Sequence, residues 1–203
     1  MDGQRITSQA LDSFEAFPPE FDALIGQAVR AFGILEREIS LLTLYSVRLA
    51  VADGLLADDN LAGQAMKKAL NDTTAVQAER IQIFAHHPAF SEHKADLRDL
   101  VEGVKNLLKF RALICHCLWF PVTDGVTAIF YSRAAIAAEM NRTPQEIVLP
   151  DQETFRRQDL EALAKDTLHC AEQVAVLSGI IHAKGSMRYP SLFPTNNVAD
   201  GTA

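Results

Sequence analysis

The sequence has little of what would hold a chain together covalently or force it into a fibre. Three cysteines in 203 residues are too few, and odd in number, for a disulfide framework. Ten glycines and eight prolines, set against 48% hydrophobic positions, exclude a collagen-like repeat and a chain that stays disordered. No basic segment followed by an apolar run and a small-residue cleavage site opens the chain, so the cytoplasm is the expected compartment. The strongly apolar stretches Leu113–Val122 and Val174–Ile181 fall far short of the roughly 20 residues that cross a bilayer, and no membrane partner is expected. Phosphate-binding Gly-rich loops, Gly-x-Ser-x-Gly turns and His-Glu-x-x-His are missing, which leaves P-loop hydrolases, serine hydrolases and zinc proteases without support. Positive charge is also scarce: 19 Lys and Arg against 26 Asp and Glu give a net charge of −7. A general nucleic-acid binder gathers excess cations, so any basic surface must be local.

What the sequence does have is helical periodicity. After Pro18-Pro19, the residues Phe21, Leu24, Ile25, Ala28, Phe32, Leu35, Ile39, Leu42 and Ser46 recur at steps of three and four, which predicts a long amphipathic helix entered through proline and ending near Asp53-Gly54. Asp58-Asp59-Asn60 and Asn71-Asp72-Thr73 read as caps of two shorter helices, to Leu70 and Phe84. Ser91 is the expected cap of a second long helix carrying Leu97, Leu100, Val101, Val104, Leu107, Leu108, Ile114, Cys115 and Leu118. Trp119–Val122, Thr123-Asp124-Gly125 and Val126–Tyr131 read as a β-hairpin turned at Asp-Gly. Residues 132–150 predict a short helix or strand. A third long helix starts between Thr154 and Asp159 and carries Leu160, Leu163, Thr167, Ala171, Val174, Ser178 and Ile181. The fold class expected is all-α: a bundle of three long and two or more short helices with a small β-hairpin inserted after the second long one. Loose ends are expected over 1–13 and, because Pro190, Pro194 and Asn196-Asn197 gather there, over 184–203, flanking one helical domain at 14–183.

On the second long helix, Lys94, Arg98, Lys105, Lys109 and His116 fall within roughly 60° of arc, a basic stripe ending in histidine. Its ordinary reading is a solvated face. Arg111 sits instead with the apolar seam, where a guanidinium needs an acid, a phosphate or an open cleft. Glu36, at the edge of the first helix's stripe, is the expected partner, either fixing helix register or serving a site. His116 is a candidate proton acceptor or donor and Arg111 a candidate cation for a phosphorane, the two groups that cleavage of RNA at a 2′-hydroxyl would use, and no metal or cofactor is expected. Five residues of straight helix set the two side chains roughly 140° apart, so their convergence calls for the length of arginine, a helix distortion or a second subunit.

Other constellations carry less. Cys115-His116-Cys117 with His169-Cys170, or His86-His87 with His93, contain zinc-ligand types, but adjacent helical residues diverge by about 100° and cannot all face one ion. Cys115 and Cys170 read as small packing residues, and Cys115 lacks the turn context of a nucleophile. Trp119, Phe120 and Phe130 are expected to cover the bundle end, with base stacking as the alternative.

The segment Lys109-Phe110-Arg111-Ala112-Leu113-Ile114-Cys115-His116-Cys117-Leu118-Trp119, with Gly33-Ile34-Leu35-Glu36 on an earlier helix, resembles the HEPN superfamily and its Arg-x(4–6)-His motif. The order of long helix, short helices, motif helix, hairpin and final helix is similar over roughly 17–182. The family pattern usually has a polar residue directly after the arginine, and often glycine after the histidine; Ala112 and Cys117 stand in those places. The resemblance implies a homodimer with two motif helices in one cleft and, in many members, a metal-independent endoribonuclease of defence or toxin systems, with an antitoxin or regulatory protein as partner; other members are inactive scaffolds. It implies Arg111, His116 and Glu36 as the catalytic group. The stripe of Lys94, Arg98, Lys105 and Lys109 would then be the RNA-binding track. The alternative expectation is a non-catalytic interaction protein in which an Arg111–Glu36 pair is structural.

Overall fold

A computed structural model of the chain describes residues 17–54, 67, 73–84, 88–130 and 151–193. Helix α1 runs Pro19–Ala52. The Pro18 carbonyl accepts the Phe21 and Asp22 amides at 3.0 and 3.3 Å, and Glu20 and Asp22 in the first turn complement the helix dipole. The helix stops at Gly54, whose φ of 76° lies in the left-handed region that only glycine enters without strain. Helix α2 is Thr74–Phe84, its first turn closed by the Gln77 amide on the Thr73 carbonyl at 2.9 Å. A 3-10 turn over Pro88–His93 precedes α3, Lys94–His116. Ser91, expected to cap α3, falls inside that turn, and the α-helix begins three residues after it.

Strands β1 (Leu118–Val122) and β2 (Gly125–Phe130) form the expected hairpin, antiparallel with Val122 opposite Gly125. The insertion is larger than a hairpin: β3, Asp151–Phe155, pairs antiparallel with β2, giving a three-stranded sheet ordered β1-β2-β3. The two turn residues are Thr123 and Asp124, so Gly125 is not the turn residue its sequence position implied. It opens β2, where a Cβ would lie 2.3 Å from the Phe155 carbonyl oxygen. Helix α4, Arg157–Arg188, starts within the expected window; the Asp159 carboxylate reaches back to accept the Arg156 amide at 2.8 Å, half of a capping box.

The chain divides into two compact units, and α1, α3 and α4 each contribute to both. The first, Met1–Gly33 with Asn106–Thr167, buries Leu24, Ala28 and Phe32 of α1, Ile114 of α3, Val126 and Ala128 of β2, Phe155 of β3, and Leu160, Leu163 and Ala164 of α4. Trp119, half-buried, packs against this cluster with its ring 5.7 Å from Phe155. The second unit, Ile34–Lys105 with Leu168–Ala203, buries Leu35, Ile39, Leu42 and Leu49, then Leu97, Val101 and Val104, then Val174 and Ile181.

The loose end expected from residue 184 is corrected over its first ten positions. Helix α4 continues to Arg188. Beyond it the Tyr189 hydroxyl donates to Asp53 at 2.6 Å, Ser186 donates to the Phe193 carbonyl at 3.0 Å, and Phe193 is 1% exposed. Proline ends the helix at this point, as it must, but two aromatic side chains fasten the chain after it. Residues 1–13, the 58–70 helix apart from Lys67, the 132–150 segment and 194–203 lie outside the described residues.

Two substitutions separate backbone fit from helix propensity. Gly33 lies in α1 with open space where a Cβ would be, so Gly33→Ala is expected to stabilise by about 0.5–1 kcal/mol. Gly125→Ala forces β2 off the Phe155 carbonyl and is expected to destabilise by more than that. Urea titration followed by emission of Trp119, the single tryptophan, gives both signs. Phe193→Ala is expected to cost about 3–5 kcal/mol; an unchanged midpoint would return residues 189–193 to the status of a tail.

Candidate functional site

Within the first unit, α3 ends on His116, and a single residue, Cys117, separates it from β1. The apolar seam of α3 is closed at Leu97, Leu100, Val101 and Val104 and loosens toward the C-terminus: Leu107 and Leu108 are half-buried, and Phe110 is 36% exposed. Arg111 lies at this looser level and is itself half-buried, with Ile114 beneath it in the core.

The Arg111 guanidinium donates from Nη1 to His116 Nε2 at 2.9 Å. A guanidinium has only donors, so in this contact Nε2 is the acceptor. The two side chains thus meet inside one chain. The helical-wheel separation is bridged by the reach of arginine, with no need for a second subunit to bring them together. The same helix end carries the negative pole of the α3 dipole, which favours cationic groups there.

Glu36 belongs to the part of α1 in the second unit. It is half-buried, its carbonyl accepts the Ser40 hydroxyl at 2.9 Å, and both Glu36 and Arg111 are engaged by partners. Of the basic stripe, Lys94, Arg98 and Lys109 are exposed and Lys105 is half-buried. Arg98 lies 3.5 Å from Asp99, Lys105 lies 3.9 Å from Glu102, and Lys109 donates to Asn106 at 2.9 Å. Acids of the same helix therefore sit among these cations, which counting only Lys and Arg around the wheel did not weigh.

Cys117 is half-buried, and burial pushes its thiol up to about 11, with Cys115 nearby adding to the rise. Burial alone does the same for Cys170, also to about 11. Neither is poised as a thiolate nucleophile. In the second unit, His93 faces Asp96 at 3.6 Å and His169 faces Glu172 at 3.9 Å, along a groove of about 690 Å³ floored by Leu100 and Leu177. Among the described residues no group of three or more His, Cys, Asp or Glu side chains is placed to hold a metal ion; His86 and His87 lie outside them. No described helix is long and apolar enough to cross a membrane. Trp119 packs on the core, while Phe110, which was not singled out from the sequence, is the more open aromatic beside Arg111, its ring 6.4 Å from Phe155.

Comparison with family models, with curated proteins and with solved structures finds no match to this chain.

The raised thiols predict slow alkylation. At pH 8 Cys117 and Cys170, shifted from 9.0 to about 11, carry on the order of 100-fold less thiolate than an unperturbed thiol. Because the proton is held more tightly, reactivity rises roughly tenfold per pH unit as pH climbs toward the raised values. Site-resolved mass spectrometry after a timed iodoacetamide pulse measures this; Cys117 labelling as fast as in the urea-unfolded chain would contradict it.

Proposed function

We propose that this chain is a HEPN-like helical protein acting as a metal-independent endoribonuclease of the defence or toxin type. The observation that carries the proposal is the 2.9 Å contact between Arg111 and His116 at the end of α3. In the reaction proposed, His116 Nε2 removes the proton of a ribose 2′-hydroxyl and the resulting oxygen attacks the adjacent phosphorus. The bond from phosphorus to the 5′-oxygen breaks, and the imidazolium returns its proton to that oxygen, leaving a 2′,3′-cyclic phosphate and a free 5′-hydroxyl. Arg111 exchanges its imidazole acceptor for a phosphate oxygen as RNA binds. This frees Nε2 and sets the guanidinium against the phosphorane charge.

Glu36 is proposed to orient Arg111, and Lys94, Arg98, Lys105 and Lys109 to receive flanking phosphates. A homodimer and an antitoxin or regulatory partner complete the proposal. The second reading, a non-catalytic interaction protein with a structural Arg111–Glu36 pair, is favoured by one observation: Asp99 and Glu102 stand beside Arg98 and Lys105 and moderate the stripe's attraction for phosphate.

Incubation with total RNA in the presence of a chelator decides between them. Cleavage is expected from the parent protein and is expected to fall by about 10²–10⁴-fold in His116→Ala, with the far-ultraviolet circular dichroism of the parent retained. Arg111→Ala should lose cleavage to a similar degree. Lys105→Glu with Lys109→Glu should weaken RNA binding and flatten its salt dependence. Intact RNA with both parent and variant favours the interaction protein.

A further inference from the structure

The second unit contains a cavity of about 430 Å³ lined by Glu38, Tyr45, Arg48, Ser178, Gly179 and His182, among others. We infer that it is a binding site for a nucleoside monophosphate, with the phosphate on Arg48 and an amino-bearing edge of the base at Glu38. The site shares no residue with the proposed ribonuclease centre, and the inference does not depend on that proposal.

Glu38, Leu41, Tyr45 and Arg48 recur at steps of three, four and three and so share one face of α1. The opposite wall comes from α4, where Gly179 carries no side chain and has open space around the Cβ position. At one end Arg48 is half-buried, and among the described residues no carboxylate pairs with it. There the Tyr45 ring meets His182 edge-on, with centroids 4.8 Å apart. At the other end Glu38 is 7% exposed and takes its ion pair from Arg37 through Oε1. Ten residues of α1, about 15 Å of helix axis, separate cation from carboxylate.

The lining also includes an unpartnered hydroxyl, that of Ser178. Hydroxyls of Ser40, Thr43 and Thr167 donate to carbonyls four residues back, at 2.9, 2.8 and 2.7 Å. Ser178 is 4% exposed and makes no hydrogen bond among the described residues. Ser46 is the other such hydroxyl among the described residues and does not line the cavity; Ser178 does, where a ligand can supply the missing partner.

A molecule that answers all of these features is elongated and bipolar, with an anion at one end, hydrogen-bond donors at the other, a hydroxyl-bearing middle and a flat part thin enough to lie over Gly179. A nucleoside monophosphate has this layout: phosphate for Arg48, ribose for Ser178, and a base whose amino group the Glu38 carboxylate accepts. The volume falls within the range usual for small-molecule pockets.

Isothermal titration calorimetry on the full chain tests this with AMP, GMP, CMP and UMP, beside inorganic phosphate and adenosine. At least one of AMP, GMP or CMP is expected to bind at least tenfold more tightly than UMP, which lacks the amino group, and more tightly than phosphate or adenosine. Arg48→Ala should weaken that nucleotide at least tenfold. Gly179→Val, which fills open space without touching a neighbour, should do the same with a melting temperature no lower than the parent's. Absence of binding at millimolar nucleotide, affinity that survives either substitution, or phosphate alone binding as well as the nucleotide would overturn the assignment.

Discussion

One face of α1 walls both cores. Leu24, Ala28 and Phe32 are sealed in the first unit; Leu35, Ile39, Leu42 and Leu49 are sealed in the second, none of them more than 7% exposed. Because this buried stripe runs from Leu24 to Leu49 of α1, rotating the helix about its axis would expose it. Truncating one such leucine costs about 2–5 kcal/mol in a packed interior, so the register of every polar residue on α1 is set by this face. Glu36, Glu38, Tyr45 and Arg48 inherit their directions from it.

The same constraint explains how polar groups are tolerated inside. Thr43 and Thr167 are fully buried and satisfy themselves on the carbonyl four residues back, which takes nothing from the neighbouring helices. Gln77, 3% exposed, accepts the Ser40 hydroxyl at 3.1 Å. Ser178 and Ser46 do not follow this habit. Arg111 is handled differently again: the seam of α3 opens at its level, so its charged head reaches His116 without full desolvation.

Much of this was legible from residue order. Pro18-Pro19 marked the start of α1, Gly54 its end, and periodicity of three and four marked the buried faces of all three long helices. The pairing of Arg111 with His116 was legible as types and spacing but not as contact within one chain, because a helical wheel shows the direction of each side chain and not its length. Strand β3 was hidden for another reason. Asp151-Gln152-Glu153-Thr154-Phe155 has one apolar residue and no alternation, and it becomes a strand only through pairing with β2, including the Thr127–Thr154 hydroxyl contact at 2.9 Å. The end of α4 was hidden because proline and asparagine counts outweighed Tyr189 and Phe193: Tyr189 is anchored on Asp53, far away in sequence, and Phe193 folds back over the bare backbone of Gly185 in the last turns of α4. The 3-4-3 spacing of Glu38, Leu41, Tyr45 and Arg48 is visible in the sequence, but that these residues line a cavity depends on α4 lying opposite them, which no local pattern shows.

Cys117 is the only residue between the imidazole-bearing end of α3 and the first hydrogen-bonded rung of the sheet, Leu118 opposite Ile129. So short a coupling leaves no slack. The residue that carries the imidazole is therefore tied by two peptide bonds to a strand whose other partners, β2 and then β3, hold Val126, Ala128 and Phe155 in the first unit's core.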